Sequence, residues 1–223
     1  MAVNGFTDIV TSGLTLCLDA GNLKSYPTTG ITWTSLTPNP VIGTLVNGPT
    51  FNSSNLGSIV FDGVDDYVNL TSSGIYSFGT SNFSINFWIK TTDTNFNILN
   101  PQTSTGSGFW GLLHQSSRLR WNNSYNVTNL WEVNNTTTLL DGNWHNVCIV
   151  RNSSNVSVYY DTESQSLTVS TDSTNYSGQD GMRMGSGNLS PLNGNISQFS
   201  IYNKSLSFSE VLQNYNATKW RFI

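Results

Sequence analysis

A chain of 223 residues with 37% hydrophobic residues, seven Trp, eleven Phe and nine Tyr is long enough for one substantial core. Only 10% of it is charged, so the surface must be built from Asn, Ser, Thr and Gly. The net charge of −4 excludes the basic stripe that nucleic acid affinity needs, and no apolar run approaches the length of a membrane span.

The opening MAVNGFTDIV has neither the basic nor the apolar region of a secretory leader, so the chain is expected in the cytoplasm where it is made. Its Asn-x-Ser/Thr triplets, such as Asn69-Leu70-Thr71, then follow from composition. Leu14, Leu16 and Leu18 alternate with Thr15 and Cys17, which predicts a first strand ending at Asp19. Pro27, Pro38, Pro40 and Pro49 keep residues 25–55 mostly irregular, with a short strand at 43–46, as a loop lying over one edge. In SIVFDGVDDYVNL, Ile59 and Phe61 precede a tight acidic turn and Val68 and Leu70 follow it. This pattern predicts a hairpin.

FSINFWIK places Phe83, Ile85, Phe87 and Ile89 on one face and Ser84, Asn86, Trp88 and Lys90 on the other, the pattern of a strand with one buried face. Further strands are expected at 109–114, 118–121, 130–133, 144–150, 156–161, 167–169 and 196–202. Ser207 and Glu210 have capping-box spacing, followed by Val211, Leu212 and Tyr215, which predicts a short helix to about Ala217. About a dozen strands and one terminal helix make an all-β, two-sheet antiparallel jelly-roll sandwich in a single domain over residues 1–223, with its core at 14–215. Cys17 and Cys148 fall in separate apolar strands, as buried thiols or, if the strands are neighbours, a disulfide.

Four segments in order, FDGVDDYVNL, FSINFWIKT, DGNWHNVCIVRN with VSVYYD, and GNISQFSIYNKSLSFSEVLQNY, resemble laminin-G-like, concanavalin A-like lectin/glucanase domains over 14–215. IVTSGLTLCLDAGN and EVLQNYNATK are similar to versions found in structural proteins of tailed bacteriophages, particularly marine and cyanobacterial ones. The resemblance implies a binding module or virion component as often as an enzyme.

Glucanases of this fold carry Glu, Asp and Glu at alternate positions of one strand. Here the three Glu, Glu132, Glu163 and Glu210, do not reproduce that order, which predicts a non-enzymatic protein. His114 and His145 stand alone, without metal-ligand spacing, and read as structural. Laminin-G-like domains imply calcium, for which Asp62, Asp65, Asp66 and Asn69 offer hard oxygens. A tight turn wants the same residues. Trp110, Trp121, Tyr125 and Trp131, with Arg118 among them, suit a glycan platform, whereas large aromatics in a sandwich otherwise fill its core. The expected role is a homo-oligomeric virion protein, decorating a capsid or part of a tail fibre, with other virion proteins and host surface polysaccharide as partners. The alternatives are a free carbohydrate-binding lectin and, further off, a glycoside hydrolase.

Overall fold

The computed structural model describes residues 8–71, 74–102, 108–123, 128–134, 136–177, 179–185 and 190–223. In chain order the strands are β1 (Leu14–Asp19), β2 (Thr32–Thr34), β3 (Ile42–Val46), β4 (Thr50–Asn52), β5 (Ser58–Asp62), β6 (Tyr67–Leu70), β7 (Phe83–Thr91) and β8 (Phe96–Pro101). They continue as β9 (Trp110–Gln115), β10 (Arg118–Asn123), β11 (Thr128–Asn134), β12 (Trp144–Asn152), β13 (Asn155–Tyr160), β14 (Glu163–Ser164), β15 (Met182–Met184) and β16 (Asn193–Tyr202). One sheet runs β14-β13-β12-β7-β16-β5-β4, with β1 also on β16, and the other runs β11-β10-β9-β8-β15-β6-β3-β2. All the named pairings are antiparallel, and the two inner faces enclose one core, as the jelly-roll prediction requires.

β7 lies between β12 and β16 in the first sheet. Phe83, Ile85, Phe87 and Ile89 enter the common core, but Ser84, Asn86 and Trp88 on the other face are buried as well. The expected single buried face is thus corrected, and the cause is the C-terminal helix α1 (Phe208–Thr218). Leu206 and Val211 form a second apolar cluster with Cys148, Val150 and Tyr202 on the outer face of this sheet. The Trp88 indole N–H donates to Thr218 Oγ1 at 2.9 Å, and its ring stacks on Tyr215 and Phe222. The capping box forms as predicted: Ser207 Oγ accepts from the Glu210 amide, and Glu210 Oε2 accepts from the Ser207 amide at 2.9 Å. The buried stripe is Val211, Asn214 and Thr218 rather than Leu212 and Tyr215. Asn214 suits that place because its amide bonds both the Val10 N–H and the Tyr202 hydroxyl.

The predicted hairpin at 58–70 is a corner between sheets. β5 pairs with β16 and β4, whereas β6 pairs with β3 and β15 in the opposite sheet. Ile59 and Phe61 therefore meet Val68 and Leu70 from across the core rather than side by side. Gly63, at φ 78°, makes the turn, and a Cβ there would come within 2.8 Å of the Asn193 side chain. Residues 25–55 are more regular than expected, contributing β2, β3 and β4 at sheet edges. Residues 167–169 form no strand: Leu167 makes an isolated bridge to Val133, and the short β14 and β15 take the pairing positions instead.

The two thiols do not pair. Cys17 lies opposite Ser200, Ser200 opposite Asn86 and Asn86 opposite Cys148, three strand spacings or about 14 Å in all. Burial pushes them up to about 11 and about 12, so both are small core residues without thiolate character.

At the end of β12, His145 Nδ1 bonds Asp161 Oδ2 at 2.6 Å and Nε2 bonds Asp141 Oδ1 at 3.0 Å. The Asp161 bond raises the His145 pKa above its ordinary 6.5, against a smaller opposing effect of burial. The Asn143 backbone amide, aided by His145, holds Asp141 at about 2. A raised histidine stabilises fully below its unfolded pKa and loses that contribution as pH rises through the folded one. His145→Gln should therefore lower Tm more at about pH 5.5 than at about pH 9. Melting curves at the two pH values check this, and an equal loss at both would mean a neutral hydrogen-bonding histidine.

Candidate functional site

Trp110, Trp121 and Trp131 are brought together, but inside the sandwich, where they are 0%, 0% and 1% exposed. Trp121 lies directly opposite Trp131 on β11 and diagonally from Trp110 on β9. The Trp110 and Trp121 rings are parallel to within 4° at 4.4 Å, and Phe78, Phe83 and Trp131 extend the stack. Their indole N–H groups are occupied, Trp110 by the Tyr76 carbonyl and Trp121 by the Tyr176 hydroxyl. The aromatic-platform expectation is corrected for these three, because no ring face is open to a sugar. Arg118 is on the outer face, where it and Arg120 pair with Glu132 at 2.5 and 2.9 Å. Tyr125 lies outside the described residues.

The other carboxylates weighed for hydrolysis are placed elsewhere. Glu210 is held by Ser207 and by Lys204 at 2.6 Å, and Glu163 sits exposed on the edge strand β14. His114 is buried against Phe96, with Nδ1 donating to the Thr94 carbonyl and Nε2 accepting from Thr136 Oγ1. Burial lowers its pKa, which keeps this histidine neutral.

At the corner, one oxygen each from Asp62, Asp65 and Asp66 lies within 4.8 Å of the others. Asp66 Oδ2 accepts from the Asp62 amide at 3.0 Å, and Asp62 Oδ1 accepts from the Val64 amide at 2.8 Å, which is the turn chemistry the sequence implied. Asp66 is only 3% exposed, and its Oδ1 has no hydrogen-bond donor. Burial, with Asp62 and Asp65 beside it, raises the Asp66 pKa. These oxygens suit a hard cation such as calcium. Asn69 lies beyond the turn on the β6 ladder, opposite Thr44 on β3 and Arg183 on β15.

A cleft that the sequence reading missed opens on the outer face of the first sheet, where the cover of α1 ends. Trp144 on β12 lies opposite Lys90 on β7, and Lys90 lies opposite Asn195 on β16. The row continues through Ser58 on β5, whose Oγ accepts from Asn195 Nδ2 at 3.1 Å, to Asn52 on β4. Asn55, at φ 56°, closes one end. It accepts from the Trp144 indole N–H at 3.2 Å and donates to the Arg221 carbonyl at 2.6 Å. The terminal turn is itself anchored, because Arg221 pairs with Asp19 at 2.9 Å and donates to Ser197 Oγ. The space enclosed is about 130 Å³, lined by amides, hydroxyls, one ammonium and the edge of one indole. That is below the roughly 300 Å³ of a drug-sized pocket, so it admits part of a single ring rather than a length of chain. Alternating polar residues on 52–58, 90 and 195 were the available signal, but their convergence depends on strand order.

No helix among the described residues is long and apolar enough to cross a membrane. No curated protein sequence matches the chain. Among solved structures, the binding domain of botulinum neurotoxin serotype D/C superposes with a TM-score of 0.70 at 13% identity, over 92% of this chain and 52% of that one. The binding domain of Paraclostridial Mosquitocidal Protein 1 gives 0.69 at 14%, over 92% and 52%. A structure described by the dependence of botulinum neurotoxin type C cell entry on two ganglioside molecules gives 0.70 at 14%, over 92% and 51%. The chain spans about half the length of these proteins, and at such identities the likeness is one of fold. A family profile matches residues 62–212, more than half of the chain and most of the sandwich described above, and by that match the chain belongs to the concanavalin A-like lectin/glucanases superfamily.

Proposed function

We propose that this chain is a non-enzymatic binding module, a virion structural protein of a tailed bacteriophage that decorates the capsid or forms part of a fibre and touches host surface polysaccharide. The observation that carries the binding role is the open polar cleft on the first sheet, set against Glu132 and Glu210, which are engaged in ion pairs and a helix cap. The similar toxin structures are named as binding domains; one concerns gangliosides and another was solved in complex with rat synaptotagmin II, so gangliosides and a protein are both partners of those proteins. Resemblance of the terminal segments to phage structural proteins supports the virion placement. A low-charge amide and hydroxyl surface favours close packing of copies, and many weak sites acting together adhere strongly.

Peptide mass spectrometry of the purified particles of the encoding phage tests the placement. The chain should be present, at a copy number near that of the major capsid protein for decoration or at a small fraction of it for a fibre. Absence from particles would transfer the binding role to a free lectin.

Trp121→Ala separates the core role of the tryptophans from a binding role. Loss of a fully buried indole from the stack should cost about 3–5 kcal/mol, so the variant should melt well below the parent. A variant with the parent's Tm that fails only in glycan binding would restore the platform reading.

Calcium at the corner belongs to the same proposal, because a rim cation would stiffen the crossing between sheets. Asp62, Asp65 and Asp66 would hold it, with the donorless Asp66 Oδ1 as the oxygen that the turn does not use. An aspartate whose folded pKa is raised costs stability once ionised, and Asn at 66 keeps an acceptor for the Asp62 amide without the charge. In chelator at about pH 7, Asp66→Asn should therefore melt no lower than the parent. Millimolar calcium should raise the parent's Tm and leave the variant's unchanged. If calcium moves neither, the three carboxylates serve the turn alone.

A further inference from the structure

We infer that the outer-face cleft takes a carboxylated sugar residue, a uronic acid unit of an acidic polysaccharide, with Lys90 as the group that selects its charge. This rests on the reading of the chain as a glycan-binding module and deepens it.

The argument starts from where the described cations are used. Arg118 and Arg120 pair with Glu132, Lys204 with Glu210 and Arg221 with Asp19. Arg151 lies against Phe83 and Tyr176 and donates to two carbonyls, Arg183 lies over Tyr67 and Lys219 over Tyr215. Lys90 and Lys24 have no such partner among the described residues, and of the two only Lys90 lines a concave surface. No carboxylate lines that surface to neutralise it. The acids nearest in the chain are turned to other work: Asp93 accepts from the Asn95 and Asn193 amides, and Asp141 accepts from Asn143 and His145.

The amides around Lys90 set the rest of the pattern. Asn55 is spent at both ends of its side chain and frames the site without contributing a free group. Asn52 uses its Oδ1 on the Ser54 amide, which leaves its NH2 to donate. Asn195 uses its NH2 on Ser58, which leaves its Oδ1 to accept. With the Ser54 and Ser58 hydroxyls on the same lining, the cleft therefore offers one charged donor, one amide donor, one amide acceptor and two hydroxyls. A carboxylate flanked by a hydroxyl answers the ammonium and both amides, because its oxygens accept from Lys90 and Asn52 while the hydroxyl donates to Asn195. A neutral hexose leaves the ammonium without a charge partner. The enclosed volume of about 130 Å³ fits the carboxylate-bearing edge of one pyranose, with the chain continuing into solvent.

Immobilised polygalacturonate, neutral dextran and dextran sulfate, titrated with the full chain at low ionic strength, test the inference. Polygalacturonate should bind best, and binding should weaken with added salt. Lys90→Gln, a surface change expected to fold, should weaken it at least roughly tenfold, and Asn195→Ala should weaken it too. Lys24→Gln, which changes the other exposed lysine, should bind as the parent does. Unchanged binding by Lys90→Gln would overturn the site, and preference for dextran sulfate or dextran would overturn the carboxylate while leaving a glycan-binding module. If the folded parent binds none of the three nor any member of a broader glycan panel, glycan contact itself falls with the inference.

Discussion

The burial of both faces of β7 is the constraint on which the rest of the molecule depends. A strand facing one core needs only alternate apolar residues, but Trp88, Asn86 and Ser84 face outward and must be covered too. The polypeptide meets that need with its C-terminal helix, fixed by the Ser207–Glu210 cap, the Trp88–Thr218 hydrogen bond and the Arg221–Asp19 ion pair. Because the cover is a single short helix and one terminal turn, it ends before the strand does. Lys90 is the first outward residue of β7 left exposed, and the cleft begins there. Packing and the candidate binding surface thus have one origin.

The second sheet solves a different problem. Its inward face carries large rings with polar edges, and each indole N–H needs an acceptor if the stack is to stay dry. Tyr76 supplies one by its carbonyl and Tyr176 another by its hydroxyl, which in turn donates to the buried Asp172. On the outside of the same strands, Arg118 and Arg120 converge on Glu132, one of the three Glu of the chain, and pair with its carboxylate. The corner at Asp62–Asp66 joins this sheet to the first, so the acidic turn stands at a hinge line of the architecture rather than at the tip of a hairpin.

Most of the fold was legible because its signals are local. Alternation in 83–90, the run from Leu14 to Asp19 and the capping box each report on a few neighbouring residues, and each element formed where those residues placed it. The failures share a cause in strand order. A tight acidic turn between two apolar runs has the same local signature whether the chain returns within a sheet or crosses to the other one, so 58–70 was misread. A cluster of Trp, Arg and Asn looks alike as a platform and as a core, and only parity against the opposite sheet decides. The cleft was hidden for the same reason, since Asn52, Lys90, Trp144 and Asn195 become neighbours through pairings far apart in the chain.

The indole stack also gives the molecule a built-in optical signature. Two parallel indoles 4.4 Å apart, with a third at 5.6 Å, lie close enough for their electronic transitions to couple, so the folded sandwich should carry an exciton band in circular dichroism that vanishes with the packing. Trp144, by contrast, stands apart from the stack at the edge of the cleft, and Trp220 is half exposed on the terminal turn. Core integrity is therefore reported by an absorption asymmetry of the stacked indoles in which the tryptophans of the outer face take no part.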